Sequence, residues 1–547
     1  MNSRSRLSSV AWLVTAIASG LVASSILASC AQSGQSAHPA RSGKVLLVGT
    51  YKGVKGGFSS IQAAVDASKP GDWILVAPGD YHEAADMSGK ISQPGQGDFG
   101  GVLINTSDIQ LRGMNRSTVI VDGTKVGSQR CSNSPPAQSF GVSGNDGKPI
   151  GRNGIVVWKA NDVSISNLTV CNFLAGTGAS GNEIWWNGGD GSGKIGLTGY
   201  QGSYLTATST YFGGEATAAQ YGIFSSSASG PATWNQLYGS NFNDGGIYIG
   251  GCLRVCDVTI SNAWMEYNAL GYSGTNSGGA VVVKNSQFDQ NQDGFDTNTQ
   301  IDADPPAPQD GTCPGGATSP ITHTHSCWVF MDNYVHDNNN PTTPSSGSAA
   351  AGPVGTGMTL SGGRYDTVMN NRFVNNGAWG FLLVPYPDSG KAVQGQTCSG
   401  TGGFELPGLG CVYDPEGDSV HGNTFVHNGY FANPTNADFG QITLAGSEPQ
   451  NCFSGNIFPD GSQPADLQTT EAKCGATTKA AGLGGQLLFE VGCDTGFLGC
   501  PPGANYPKVG SSSEPVVMHP LPKSLPSMPN PCAGVPSDAW CVGGKPL

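Results

Sequence analysis

One local pattern constrains the fold of this chain more than any other feature: an apolar residue, two variable residues, then asparagine. It reads Met265-Glu266-Tyr267-Asn268, Phe288-Asp289-Gln290-Asn291 and Val335-His336-Asp337-Asn338, then Phe373-Val374-Asn375-Asn376 and Phe425-Val426-His427-Asn428. A glycine variant, Phe242-Asn243-Asp244-Gly245, precedes them, and positions 245, 268 and 291 are 23 residues apart. Later intervals are longer, and the excess is Cys-bearing and Pro-rich. A fixed period of roughly 20–50 residues is the mark of a solenoid. Here the unit is made of strands and turns.

Several repeats are followed by Gly and alternating residues, as in Gly246-Ile247-Tyr248-Ile249, Gly294-Phe295-Asp296-Thr297 and Gly380-Phe381-Leu382-Leu383. Alternation sends Ile247, Phe295 and Phe381 inward, and Tyr248, Asp296 and Leu382 outward. Asparagine tolerates left-handed backbone and is expected to occupy the tight corner itself. Stacked at the strand spacing, its amides can also hydrogen-bond from coil to coil. Composition agrees: 83 glycines and only 12% charged residues suit a turn-dense β protein, and no G-X-Y period suggests collagen.

The N-terminal part sharpens the assignment. Residues 58–67 read as a short helix, with Ser59 and Gln62 in capping-box positions and Phe58 as a staple. Then come Lys69-Pro70-Gly71-Asp72, Trp73-Ile74-Leu75-Val76 and Pro78-Gly79-Asp80-Tyr81, ending at Glu83. This stretch resembles the opening of pectate-lyase-like and pectin-methylesterase-like proteins. The resemblance covers about residues 44–460 and implies an all-β fold: a right-handed parallel β-helix solenoid with an N-terminal cap helix and long Cys-stapled loops. The cap is physically required, because an open terminal coil exposes apolar surface and strand edges.

The chain divides into residues 1–30, 31–42, 43–500 and 501–547. In the first, Arg4 and Arg6 precede an apolar stretch ending in Leu27-Ala28-Ser29-Cys30. This resembles a bacterial lipoprotein signal, which implies cleavage before Cys30, lipidation of its sulfur, and anchoring to the cell membrane or outer membrane; an ordinary secretory signal or an uncleaved anchor is the competing reading. Residues 31–42 form a polar tether. Residues 43–500 form the β-helix domain, and 501–547 a Pro/Ser-rich extended tail.

Of 15 cysteines, lipidation of Cys30 leaves an even number. Pairing sequence neighbours gives Cys252/Cys256, Cys313/Cys327, Cys398/Cys411, Cys452/Cys474, Cys493/Cys500 and Cys532/Cys541, with Cys131/Cys171 remaining. Spacing alone does not decide the connectivity, but the pattern suits loop staples in an oxidising compartment.

The net charge of −13 opposes nucleic-acid binding. It also repels acidic polysaccharide unless bound cations intervene. The resembled superfamily cleaves or epimerises such polymers. Its lyase chemistry needs a cation, often Ca²⁺ held by carboxylates, and a base beside the uronate carboxylate. Asp289, Asp293 and Asp296 are the expected Ca²⁺ ligands, and "QDGFD" resembles the calcium stretch of one β-helical pectate lyase family. No Lys lies between Lys284 and Lys391, so Arg364 or His336 is the expected catalytic base. Tyr248 and Asp332 are expected to contact substrate. The competing reading of these Asp residues is ordinary turn formation.

Three weaker features complete the inventory. Asp414-Pro415-Glu416-Gly417-Asp418, with His421 and His427, faintly resembles an alginate-epimerase signature, with Glu416 where His is expected. His323 and His325 could form half of a metal site. Trp264 and Trp379 are sugar platforms or packing residues. The sequence therefore points to an exported, monomeric polysaccharide-binding protein with lyase-like β-elimination. Its rivals are a glycoside hydrolase using carboxylate pairs, a non-enzymatic surface glycan-binding or adhesion module, and a metal-handling β-helix.

Overall fold

In the computed structural model the described residues are 43–86, 99–189, 192–302, 305–345, 352–393, 395–444, 451–475, 485–508 and 515–547. Cys30 and the rest of residues 1–42, where a leader and tether are expected, lie outside them. The chain is a right-handed parallel β-helix built on two large sheets. A 12-stranded sheet takes one strand per coil, among them Asn153–Trp158, Asn182–Asn187, Tyr221–Ser226, Gly245–Gly250, Leu270–Thr275, Asp293–Asn298, Thr356–Ser361, Trp379–Val384 and Ala437–Gln441, each beside the next. A 20-stranded sheet takes two, such as Val258–Ser261 and Trp264–Glu266, then Val281–Lys284 and Gln287–Asp289.

The inward alternation holds. Ile155, Ile184, Ile223, Ile247, Tyr272 and Phe295 stand in register on successive strands and are all fully buried. Tyr272 and Phe295 stack with ring centroids 4.0 Å apart. Each coil thus buries apolar surface against the next, the main favourable term in a repeat fold.

The asparagines form the expected column. Asn268 donates its side-chain amide to Asn291 Oδ1 (3.1 Å), Asn291 to Asn338 (3.0 Å), Asn338 to Asn376 (3.2 Å), and Asn376 to Asn428 (3.0 Å). The same oxygens also accept backbone amides. One expectation needs correction: these asparagines do not carry the left-handed corner. Tyr267, Gln290, Asp337, Asn375 and His427, one residue earlier, have φ between 54° and 59°. The corner residue turns the chain, and the asparagine satisfies the backbone left exposed by that turn.

A second ladder runs through Asn333, Asn371, Asn423 and Asn456, with amide-to-oxygen distances of 3.0–3.1 Å, and ends on Gln468. It sits at the corner inside the 20-stranded sheet. Asp332 (φ 55°) is the left-handed residue preceding Asn333.

The cap helix is Ile61–Ala67, and its N-cap is Ser60, not Ser59: Ser60 Oγ accepts from the Ala63 amide at 3.0 Å. Glu83, the last residue of the resembled stretch, accepts from the amides of Ile61 (2.5 Å) and Gln62 (3.2 Å). A carboxylate at a helix N-terminus satisfies donors that the helix itself cannot.

All seven neighbour pairs of cysteines stand at disulfide-bonding distance. This suits an oxidising, extracellular setting. No described helix is long and apolar enough to cross a membrane. Residues 515–547 run back over the coils: Val517 donates to the Thr342 carbonyl, His519 exchanges hydrogen bonds with Asn241, and Met528 donates to Asn167. The Cys532–Cys541 loop then packs beside Trp73 and Leu75, with Trp540 fully buried and donating to the Val54 carbonyl at 3.0 Å.

Candidate functional site

The outer face of the 12-stranded sheet changes character along one register column. Leu103, Val156, Trp185, Phe224 and Tyr248 come first, then Ser273, Asp296 and Thr359, and finally Leu382 and Gly440. The last part is covered: Leu487 of the helix Gly485–Asp494 packs on Trp379 and Leu382. The first is an aromatic shelf that is itself largely buried, with Trp185, Phe224 and Tyr248 only 5%, 9% and 6% exposed; Trp185 and Phe224 stack at 5.0 Å and Phe224 meets Tyr248 edge-on at 4.9 Å. Tyr221 leans on both, 4.7 Å from Phe224 and 5.0 Å from Tyr248.

Between shelf and helix lies an acidic stretch. Asp244 Oδ2 accepts the Tyr221 hydroxyl at 2.7 Å, while its Oδ1 is buried with no hydrogen bond. Burial pushes its pKa up to about 6 against hydrogen bonds from Tyr221 and Ser273. Asp296 accepts from Asn298 (3.2 Å) and Ser361 (3.4 Å). Burial, and then the Asp244 charge, push it up to about 7 against those two bonds. Asp293 is fully buried, accepts the Thr359 hydroxyl at 3.0 Å, and is held well above the carboxylate range by burial and by Asp296. Asp494, closing the helix Gly485–Asp494, is raised by burial and by Asp293. No described Lys or Arg is ion-paired with these four.

Such a cluster holds protons on carboxyl groups to higher pH than usual, so that some can donate protons or hydrogen bonds near neutral pH while Asp244 ionises. Aromatic rings beside hydrogen-bonding acids suit a ligand with apolar ring faces and many hydroxyls.

The structure does not bring the expected Ca²⁺ ligands together. Asp289 belongs to the 20-stranded sheet, Asp293 and Asp296 to the 12-stranded one, and the corner at Gln290–Asn291 lies between. Asp289 accepts Trp264 Nε1 at 2.7 Å and stands in register with Glu266 and His336. Glu266 accepts the Tyr238 hydroxyl at 2.7 Å and is pushed up to about 7, mainly by burial. His336 meets Asp337 through Nδ1 (2.6 Å) and stacks on Tyr334 (3.9 Å), while its buried Nε2 has no hydrogen-bond partner. This second acidic face borders a cavity of about 400 Å³ lined by Tyr267, Asp337, Asn340 and His519. Trp264 is therefore tied to Asp289.

Arg364 is on neither face. It donates to the Gly402 carbonyl at 2.7 Å and pairs with Glu416 at 3.5 Å, beside the buried Asp418. A base at Arg364 or His336 does not share a face with Asp293 and Asp296. Asp332 is exposed at its corner and acts as a turn former. Trp379 is fully buried beneath the C-terminal helix and donates to the Thr435 carbonyl. His323 and His325 lie exposed on the Cys313–Cys327 loop, and His325 meets the Ala317 carbonyl.

Among the described residues, compact triplets of metal-ligating atoms form at Asp80/His82/Asp122 and Asp122/Cys131/Cys171, not at Asp289/Asp293/Asp296. The three expected ligands thus do not fit a Ca²⁺ ion. Sequence reasoning missed Asp244, Tyr221 and Asp494. Asp244 had a signal, as the residue before Gly245 in the glycine variant of the repeat. Asp494 had none.

No family model matches the chain, and no curated protein matches it. Solved structures with similar folds include the A-module of an Azotobacter vinelandii mannuronan C-5 epimerase (11% identity, 73% of this chain and 90% of that one, TM-score 0.40). An alginate lyase from a Paenibacillus strain is similar at 12% identity (77% and 96%, TM-score 0.34), and a pectate lyase at 12% (86% and 90%, TM-score 0.33).

Proposed function

We propose that the protein binds polysaccharide along the outer face of the 12-stranded sheet and hydrolyses a glycosidic bond with Asp296 and Asp244. The observation that carries this reading is the single register column in which Tyr248 is followed, two strands on, by Asp296. At about 4.8 Å per strand, the shelf and the acid are roughly 10 Å apart, within reach of one oligosaccharide.

Asp296, at about 7, keeps its proton to higher pH than Asp244 and is the general acid. Asp244, at about 6, ionises first and is the base or nucleophile. β-Elimination loses ground to hydrolysis, because its cation site and its base do not meet. The acidic face, with no Lys or Arg among the described residues ion-paired to it, favours a neutral glycan over a uronate polymer.

The test is incubation of the full-length protein with neutral glucans, pectate and alginate, reading reducing ends and unsaturated uronate absorbance separately. New reducing ends without unsaturation support hydrolysis, and unsaturated product supports the lyase. Binding without turnover selects a glycan-binding or adhesion module. Neither binding nor turnover on any glycan ends the proposal.

Export and lipidation at Cys30 belong to the same reading, because a secreted glycan-binding protein anchored by lipid stays at its polymer. Metabolic labelling with a palmitate analogue, lost in Cys30→Ala, tests them.

A further inference from the structure

We propose that Asp80, His82 and Asp122 bind one divalent ion of the zinc class, at a site separate from the acidic stretch of the 12-stranded sheet. Strands Gly79–Tyr81 and Val119–Asp122 pair in parallel with Tyr81 opposite Val121. His82 and Asp122 therefore emerge side by side, and Asp80 leaves the same strand on the same face, by period two. One ligand atom from each of the three lies within 4.8 Å of the others. His82 Nε2 is 3.5 Å from Asp80 Oδ2.

The surroundings prepare the three for a cation. His82 Nδ1 is 2.8 Å from the Thr124 carbonyl. A carbonyl only accepts, so Nδ1 carries the proton, and in the neutral ring the Nε2 lone pair faces the two carboxylates. Metal-bound imidazoles are oriented in this way, with the far nitrogen donating to a carbonyl or carboxylate. Asp122 is fully buried and held by the amides of Thr124 (2.8 Å) and Cys131 (2.6 Å). Asp80 Oδ1 is buried and has no hydrogen bond.

The Cys131–Cys171 disulfide fixes the segment that supplies the Cys131 amide. Arg152 interacts with Asp122 but spends its guanidinium on the carbonyls of Gly123 and Glu83. Asp80 is raised by burial and by the Asp122 charge, and lowered by His82 and by the exposed Arg130. One imidazole and two carboxylates suit zinc better than calcium, which takes oxygen ligands in larger number. Three protein ligands leave a fourth position for water.

The test uses full-length protein stripped with a chelator and titrated with zinc by calorimetry. One tight equivalent is expected in the unmodified protein, and none in Asp80→Asn or His82→Ala; neither change removes an acceptor of a backbone amide. Cobalt in place of zinc should give the visible bands of a four-coordinate site. The unmodified protein should also gain several degrees in Tm on adding one equivalent, a readout that needs no variant. The proposal is overturned if no stoichiometric binding occurs, if the equivalent survives His82→Ala, or if it is lost with His323→Ala and His325→Ala instead.

Discussion

The Tyr221 hydroxyl donates to Asp244 at 2.7 Å, so the aromatic shelf and the first carboxylate of the acidic stretch are joined by a hydrogen bond to the charge. Burial raises the Asp244 pKa and this bond opposes it. Tyr221→Phe removes one of two opposing hydrogen bonds and leaves that from Ser273. A bond worth about 1 kcal/mol corresponds to somewhat under one pH unit. The acidic limb of the pH–rate profile should move up by about that amount while the alkaline limb, set by Asp296, stays in place.

Turnover itself should be bell-shaped. The productive state has Asp244 ionised and Asp296 protonated, which places the maximum between about 6 and about 7. Asp296→Asn should lower kcat by about 10²–10⁴-fold and leave glycan affinity within a few-fold of the unmodified protein. An unchanged kcat removes Asp296 from the chemistry.

Stability should rise on mild acidification. Asp244 and Asp296 hold protons in the folded state at pH values where unfolded carboxyls, near 4, have lost them. The folded state binds more protons across that interval, so stability falls as pH rises from about 4 through 6 and 7, and is fully present below it. Calorimetric Tm values between pH 5 and 8 should decline with pH, and less steeply in Asp296→Asn.

Each rung of the ladder should carry measurable stability. Asn376→Ala strands the Asn338 amide and side-chain donors, both 3.2 Å from Asn376 Oδ1 in a fully buried corner. The expected cost is about 2–4 kcal/mol by denaturant unfolding. Asp332→Asn, at an exposed left-handed corner, should be nearly neutral.

The last coil-binding segment is equally exposed to test. Trp540→Ala empties a fully buried site and removes the bond to Val54. A loss of about 3–5 kcal/mol is expected, read as a shift of the denaturation midpoint.

The coil period, the inward residues and the first asparagine column were legible because identical side chains recur at fixed distances from Phe288, Phe373 and Phe425. The second ladder was legible in principle, since Asn333, Asn371, Asn423 and Asn456 each stand two residues before an apolar or aromatic residue. Its corner residues vary from Asp332 to Gly422, which hides the repeat. The site was legible only in part. Period-two reasoning placed Asp296 outward with Tyr248, but it fails across a left-handed residue such as Gln290, and so Asp289 was grouped with the wrong face. His82 and Asp122 are forty positions apart in the chain and become neighbours only through strand register, which no local pattern encodes.

The return of residues 515–547 to the coils around Asn167, Trp73 and Val54 has a consequence for biogenesis. Those N-terminal coils are covered on one side by amino acids synthesised hundreds of positions later. A partly emerged chain would hold stacked rungs with bare apolar flanks at Trp73 and Leu75. Closure of this flank therefore waits for residues 515–547, and until they dock it stays open to binding partners and proteases.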